Sequence, residues 1–200
     1  MRSAVLHLKK ADPTMKRIVE QIGPCRISYR PPAFETLARS IVYQQLSGKA
    51  AATIYGRLEA GCKGCIAPRA ILRVTPDRAR ELGLSQQKHK YLLDLAERTK
   101  SGAVNFEALP GLGDQEVIEH LTQVKGVGVW TAHMFLIFAL RRPDVLPTGD
   151  LGVRSAIRRA WQLEELPSPA EMEELAAPWR PWCSIASWYL WRSLEGPAAL

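Results

Sequence analysis

The pentapeptide Val124-Lys125-Gly126-Val127-Gly128 lies between two segments of helical periodicity, Asp114–Val124 and Trp130–Leu140. Two glycines one residue apart let the backbone fold back tightly and let another group come close to it. The chain must therefore make a short helix–turn–helix corner here. The amides of Gly126, Gly128 and Thr131 would point outward at the start of the second helix, where the helix dipole adds to their attraction for a phosphate oxygen. A plain corner, with glycine used for geometry alone, explains the same residues. Twenty residues after Trp130 comes Asp150, in the turn Pro147-Thr148-Gly149-Asp150. A carboxylate at that place can cap the helix that follows. It can also face a groove and stabilise a developing cation, and the two roles can coexist at one helix start.

The rest of the chain reads as helix. Phe34–Gln45 has apolar residues at 34, 37, 38, 41 and 42, a helical spacing. Ser47 caps the next segment, which runs to about Ala60. Pro68–Val74 and Pro76–Leu82 each open on a proline. Gly83 ends the second, and Ser85 caps a longer helix through Lys100. Asp150–Trp161, Ser168–Ala177 and Trp182–Leu194 complete the set. Period-two alternation is confined to a possible start of a strand at Val5–Leu8. The expected architecture is all-α: two helical lobes with a groove between them near Gly126 and Asp150.

Composition narrows the partners. The 27 Lys plus Arg against 20 Asp plus Glu give a formal charge of +7, which favours nucleic acid or another anionic surface without choosing between them. The longest apolar run, near Met134–Leu140, is far short of the roughly 20 residues that span a bilayer, and the N-terminus does not read as a signal peptide. A cytoplasmic protein with no membrane partner is expected. Cys62 and Cys65 form a lone C-x-x-C, half of a zinc site; together with Cys25 and Cys183 they are expected to be reduced thiols.

Several separated motifs carry a resemblance. They are L-x-x-V-K-G-V-G-V-W-T-A at 121–132, L-P-T-G-D at 146–150, FETLARSIVYQQLSGKAA at 34–51, GLSQQKHKYL at 83–92 and PWCSIASWYLW at 181–191. In kind and in order they resemble the helix-hairpin-helix (HhH-GPD) DNA glycosylase superfamily, and within it the alkylation-repair branch, DNA-3-methyladenine glycosylase II. The resemblance implies one catalytic domain over 1–200. A six-helix, barrel-like lobe at 33–143 would hold the hairpin, and a lobe of 1–32 plus 144–194 would carry the aspartate. It implies Asp150 as the catalytic residue, and Gly126, Gly128 and Thr131 as phosphate-binding amides with Lys125 beside them. It further implies the carbonyls of Thr122, Val124 and Val127 as ligands of a Na⁺ or K⁺ ion, with no cofactor for catalysis. Lys125 stands where the family usually has proline.

Superfamily members that also cut the strand use a lysine amine to attack the sugar. Trp130 holds that position here, so a monofunctional hydrolase without lyase activity is expected. Its partner would be double-stranded damaged DNA, and its state monomeric. By the same resemblance Trp130 and Trp191, with Trp182 and Met134, form the base pocket, where an indole face attracts a cationic base; Met134 replaces an aromatic residue. Most of the six tryptophans could equally be core. The turn at 43–47 would supply the wedge that fills the hole left by a flipped nucleotide, with Gln45 and Leu46 as the candidates; Leu46 could instead pack inward. Lys49 and Arg154 lie close to the proposed backbone contacts. The implied activity is hydrolysis of the N-glycosidic bond of 3-methyladenine or 7-methylguanine in base excision repair. Uracil or hypoxanthine release by the same scaffold, and a non-catalytic DNA-binding module, are the alternatives.

Overall fold

A computed structural model describes residues 1–195. The chain runs α1 (Arg2–Ala11), α2 (Pro13–Ile22), α3 (Phe34–Tyr43), α4 (Gly48–Gly61), α5 (Pro68–Ile71), α6 (Pro76–Glu81), α7 (Gln86–Ser101), α8 (Asp114–Thr122), α9 (Val129–Phe138), α10 (Leu151–Trp161), α11 (Pro169–Ala176) and α12 (Cys183–Leu194). No β-strand occurs among the described residues, so the molecule is all-α. Its described residues form two compact units, residues 30–140 and residues 1–29 with 141–195. The first unit begins and ends three residues before the expected lobe of 33–143.

The unit of residues 30–140 is assembled around α7. Its buried face, Leu92, Leu95 and Ala96, meets α3, whose Phe34, Leu37, Ala38, Ile41 and Val42 are all buried. Phe106 links two helices, with its ring 6.3 Å from that of Phe34 and 6.0 Å from that of Phe135 on α9. Hydroxyl caps start the helices: Ser47 accepts from the Ala50 amide, Thr75 from Arg78 and Ser85 from Lys88. Each cap is worth about 1 kcal/mol. Gly102, at φ 82°, ends α7 in the left-handed region that glycine enters without steric cost.

In the other unit α1 packs on α2, and α2 and α10 both pack on α12. The first residues thus join the C-terminal helices. Leu8, Met15, Ile157, Met172, Trp179 and Tyr189 are fully covered. Asp12 joins several pieces: its Oδ1 accepts the Thr14 and Met15 amides at the start of α2, and its Oδ2 accepts the Trp179 indole N–H at 3.1 Å. The strand start expected at Val5–Leu8 is absent; those residues are helical, within α1. Ala4 and Leu8, one helical turn apart, are buried, while Leu6 is exposed. The apparent alternation was the inner edge of a helix seen over too few residues.

Candidate active site

The hairpin sits between α8 and α9 in the 30–140 unit. Within it the Val127 amide donates to the Val124 carbonyl at 3.0 Å. Gly126 has φ +80°, and a Cβ added there would lie 2.1 Å from the Tyr91 ring. Glycine is therefore required at 126 by conformation and by space together. Gly128 differs: it is the N-cap of α9 with φ −97°, and a Cβ there would meet nothing. No side chain caps α9, in contrast to α4, α7 and α10. Like α1, α3 and α12, α9 opens without a capping side chain at its N-cap, and the dipole favours an anion at this end, near the Thr131 amide. The Thr131 side chain is buried.

Lys125 does more than add charge. Its amide donates to Asp94 Oδ2 at 2.9 Å, and its Nζ lies 3.5 Å from Asp94 Oδ1. Arg98 Nε donates to the same carboxylate at 2.9 Å. Burial alone would push the Asp94 carboxyl up; the Lys125 amide and the Arg98 guanidinium outweigh it and hold the group below its ordinary value. For the implied monovalent cation the donor chemistry of Thr122, Val124 and Val127 is suitable, since neutral carbonyls suit a hard ion. The Val124 carbonyl, which accepts the Val127 amide, keeps a second lone pair for such an ion.

Trp130 is 48% exposed, although its helix reads as uniformly apolar; the buried part of α9 begins at Thr131. Trp130 and Met134 line a cavity of about 680 Å³ with Tyr43, Gln45, Lys88 and Tyr91. Tyr43 is fixed there by Arg39, whose guanidinium carbon lies 3.8 Å from its ring centroid. The proposed wedge turn borders the same cavity. α3 stops at Tyr43, two residues before the end expected from periodicity, because Gln44 is extended and Gln45 turns to φ +55°. Leu46 is 38% exposed, so it does not pack inward. Lys49 is exposed on the next helix.

Asp150 and Trp191 belong to the other unit. The Asp150 amide donates to the Pro147 carbonyl at 2.9 Å, closing the turn. Its carboxylate is 7% exposed. Oδ1 accepts two hydrogen bonds, from the Val153 amide at 2.7 Å and from the Trp191 indole Nε1–H at 2.8 Å. The capping role is therefore real, and it also pins the carboxylate. Gly152 makes room: a Cβ there would lie 3.0 Å from both Asp150 Oδ1 and Trp191 Cδ1. An indole N–H lies in the ring plane, so the edge of Trp191 is committed to the acid, while the ring packs against the core of its unit. Trp182 is the half-buried residue before α12, packed against the core of its unit. Arg154 donates through Nε to the Pro167 carbonyl at 3.0 Å, which commits part of its guanidinium to the fold. Cys25, Cys62, Cys65 and Cys183 are free thiols, Cys65 exposed.

Sequence reasoning passed over Gln44, Lys88, Tyr91, Asp94 and Gly152. Lys88 and Tyr91 lie inside GLSQQKHKYL, a segment singled out as a motif without a role; their proximity to the hairpin exists only in three dimensions.

The comparisons with known proteins agree with this geometry. DNA-3-methyladenine glycosylase 1 of Schizosaccharomyces pombe is 34% identical over 208 residues, covering 96% of this chain and 87% of the relative. The solved structure of the S. pombe 3-methyladenine DNA glycosylase in complex with abasic DNA superposes with a TM-score of 0.86 over 99% of both chains. A DNA-3-methyladenine glycosidase from Bacillus halodurans, 34% identical, superposes at 0.87 over 98% of this chain and 90% of that one. The profile of the HhH-GPD superfamily base excision DNA repair protein matches residues 38–181, the stretch that holds the turn at 43–47, the hairpin and Asp150. With a glycine hairpin at an uncapped helix start, an aspartate pinned at another and this breadth of likeness, the chain belongs to the HhH-GPD superfamily of base excision DNA repair proteins.

Proposed function

We propose that the chain is a monofunctional DNA glycosylase that hydrolyses the N-glycosidic bond of alkylated purines in base excision repair. The observation that carries this is the carboxylate of Asp150, buried, doubly hydrogen-bonded on one oxygen and backed by an indole. Mere DNA binding asks for no such group. The relatives that align over nearly the whole chain are named as 3-methyladenine glycosylases, which supports the substrate class.

The damaged nucleotide leaves the stack of a DNA duplex, and Gln45 or Leu46 takes its place. The amides of Gly126, Gly128 and Thr131 grip a phosphate of the strand, with Lys125 beside them; this contact sets position and not sequence. An alkylated purine carries positive charge on its ring, so its glycosidic bond is already weak and its attraction to the indoles of Trp130 and Trp191 is strengthened. As the bond breaks the sugar becomes oxocarbenium-like. Asp150 stabilises that cation and orients or deprotonates the attacking water. Trp130 offers no amine, so no Schiff base forms and the strand is left intact. The protein acts as a monomer in the cytoplasm, and a Na⁺ or K⁺ ion on the carbonyls of Thr122, Val124 and Val127 would only stiffen the hairpin.

The test is to incubate methylated duplex DNA, and duplexes carrying hypoxanthine or uracil, with wild type and Asp150→Asn. Released bases are identified by mass spectrometry, and strand cleavage is scored separately. Asparagine keeps an oxygen for Val153 and Trp191 but removes the charge. We expect release of 3-methyladenine and 7-methylguanine by wild type without nicking, and roughly a 10²–10³-fold lower rate for the variant. Near-normal turnover by Asp150→Asn would end the assignment.

A further inference from the structure

One face of α7 reaches both elements that would meet DNA. Lys88, Tyr91 and Asp94 are spaced by three residues, so they line one side of the helix. Asp94 holds the Lys125 amide, and Tyr91 fills the space that a side chain at Gly126 would need. Lys88 reaches the other way: its Nζ donates to the Val42 carbonyl at 2.7 Å and to the Gln44 carbonyl at 2.6 Å. These are acceptors at the C-terminal end of α3, where carbonyls lack helical donors and a cation is favoured. The Lys88 backbone is itself fixed, because its amide donates to the Ser85 cap. Gln44 then closes a loop through its side chain, with Nε2 donating to the Gly126 carbonyl at 2.8 Å. Directly beyond, Gln45 sits at φ +55°, a region that residues with a Cβ occupy only at a cost, so the turn needs outside restraint to hold its shape.

We propose that Lys88 and Gln44 form a latch that fixes the inserting turn at Gln45–Leu46 to the phosphate-gripping hairpin, making Lys88 a positioning residue for strand insertion. The inference rests on the wedge and hairpin roles proposed above. Its consequence is that phosphate capture and insertion occur as one rigid event: once Gly126 and Gly128 are seated on the strand, the turn is already aimed. Without the latch the turn must be ordered during each encounter, and that ordering entropy is lost from the inserted complex.

The experiment uses a duplex with 2-aminopurine placed opposite a tetrahydrofuran abasic analogue, so that fluorescence reports unstacking on insertion whether or not the protein is an enzyme. Release of 7-methylguanine under single-turnover conditions is followed in parallel, with melting temperature and affinity for undamaged DNA as controls. Lys88→Met keeps the aliphatic stem and removes the donors. We expect its insertion affinity to fall at least about tenfold, the low end for one lost bond to a charged group, with affinity for undamaged DNA within about twofold of wild type. Lys88→Arg, which restores a cation and its donors, should recover most of the signal. Gln44→Ala removes only a side chain at the turn and serves if Lys88→Met does not fold; it should show the same selective loss. Insertion by both Lys88→Met and Gln44→Ala at wild-type affinity overturns the latch, as does a wild type that gives no insertion signal. A wild type that inserts but releases no base refutes the glycosylase reading alone.

Discussion

Gly126→Ala should damage this protein far more than Gly128→Ala, although the two glycines stand one residue apart in one motif. At 126 the new Cβ would lie 2.1 Å from Tyr91 Cδ2 and 2.2 Å from Cε2, against a normal carbon–carbon approach of about 3.5–4.0 Å. The ring must therefore retreat by more than an ångström, yet its hydroxyl is held by Gln87 Nε2. Overpacking of that kind costs about 1–3 kcal/mol, and a φ of +80° adds about 1–2 kcal/mol for a residue with a Cβ. The sum of roughly 2–5 kcal/mol corresponds to a fall in Tm of about 10 °C for a chain of this size. At 128 the conformation is ordinary and the space is open, so the loss is that of a poorer N-cap, at most about 1 kcal/mol. Thermal denaturation of both variants reads the stability terms, and fluorescence anisotropy with an abasic-analogue duplex reads the grip. Gly128→Ala should keep its Tm while losing DNA affinity, because its Cβ stands where a phosphate would approach. Adding Tyr91→Ala to Gly126→Ala should return the packing part of the loss and leave the dihedral part. If Gly126→Ala melts with wild type, or if the two alanines are equally harmful, the geometric argument is wrong.

Two further outcomes can be checked. Trp191→Phe keeps an aromatic face but withdraws the donor from Asp150 Oδ1; a lost bond to a charged group is worth about 1.5–3 kcal/mol, so kcat should fall about 10–100-fold for charged and neutral lesions alike. A loss confined to KM for cationic bases would show that Trp191 serves only as a pocket wall. The carboxyl of Asp94 is held below its ordinary value of 3.8, so the stability it contributes is complete above that pH and disappears as acid titrates it through the lower, folded value. The Tm gap between wild type and Asp94→Asn should be full at pH 6 and shrink on descending from about pH 4; a gap constant down to pH 3 would contradict the role given to that carboxylate.

Much of the fold could be read locally because its determinants are local. Ser47, Ser85, Ser168 and Asp150 cap the helices that the sequence places after them, and proline opens α5 and α6 where expected. What escaped was set by distant contacts or hidden by short segments. α3 ends early where Lys88, 44 residues on, takes the last carbonyls. α2 went unread although Asp12-Pro13 is a strong start signal. The turn and the helix after it make Asp150 legible as a cap; only the resemblance singles it out for catalysis. The indole that pins it lies 41 residues away, and nothing near Asp150 in the chain announces it. Gly152 shows the same limit: its small size is explained only when the ring of Trp191 stands beside it.

That shared hydrogen bond constrains how the protein can change. An indole that braces the acid through its N–H cannot be traded for another ring without loosening the hold on that carboxylate. On the proposed function, drift in lesion preference would fall on position 134, where a thioether lines the cavity and can be enlarged, trimmed or made aromatic without touching the Asp150–Trp191 pair. In such an enzyme the range of damage recognised can diversify between lineages as the means of removing it stays fixed.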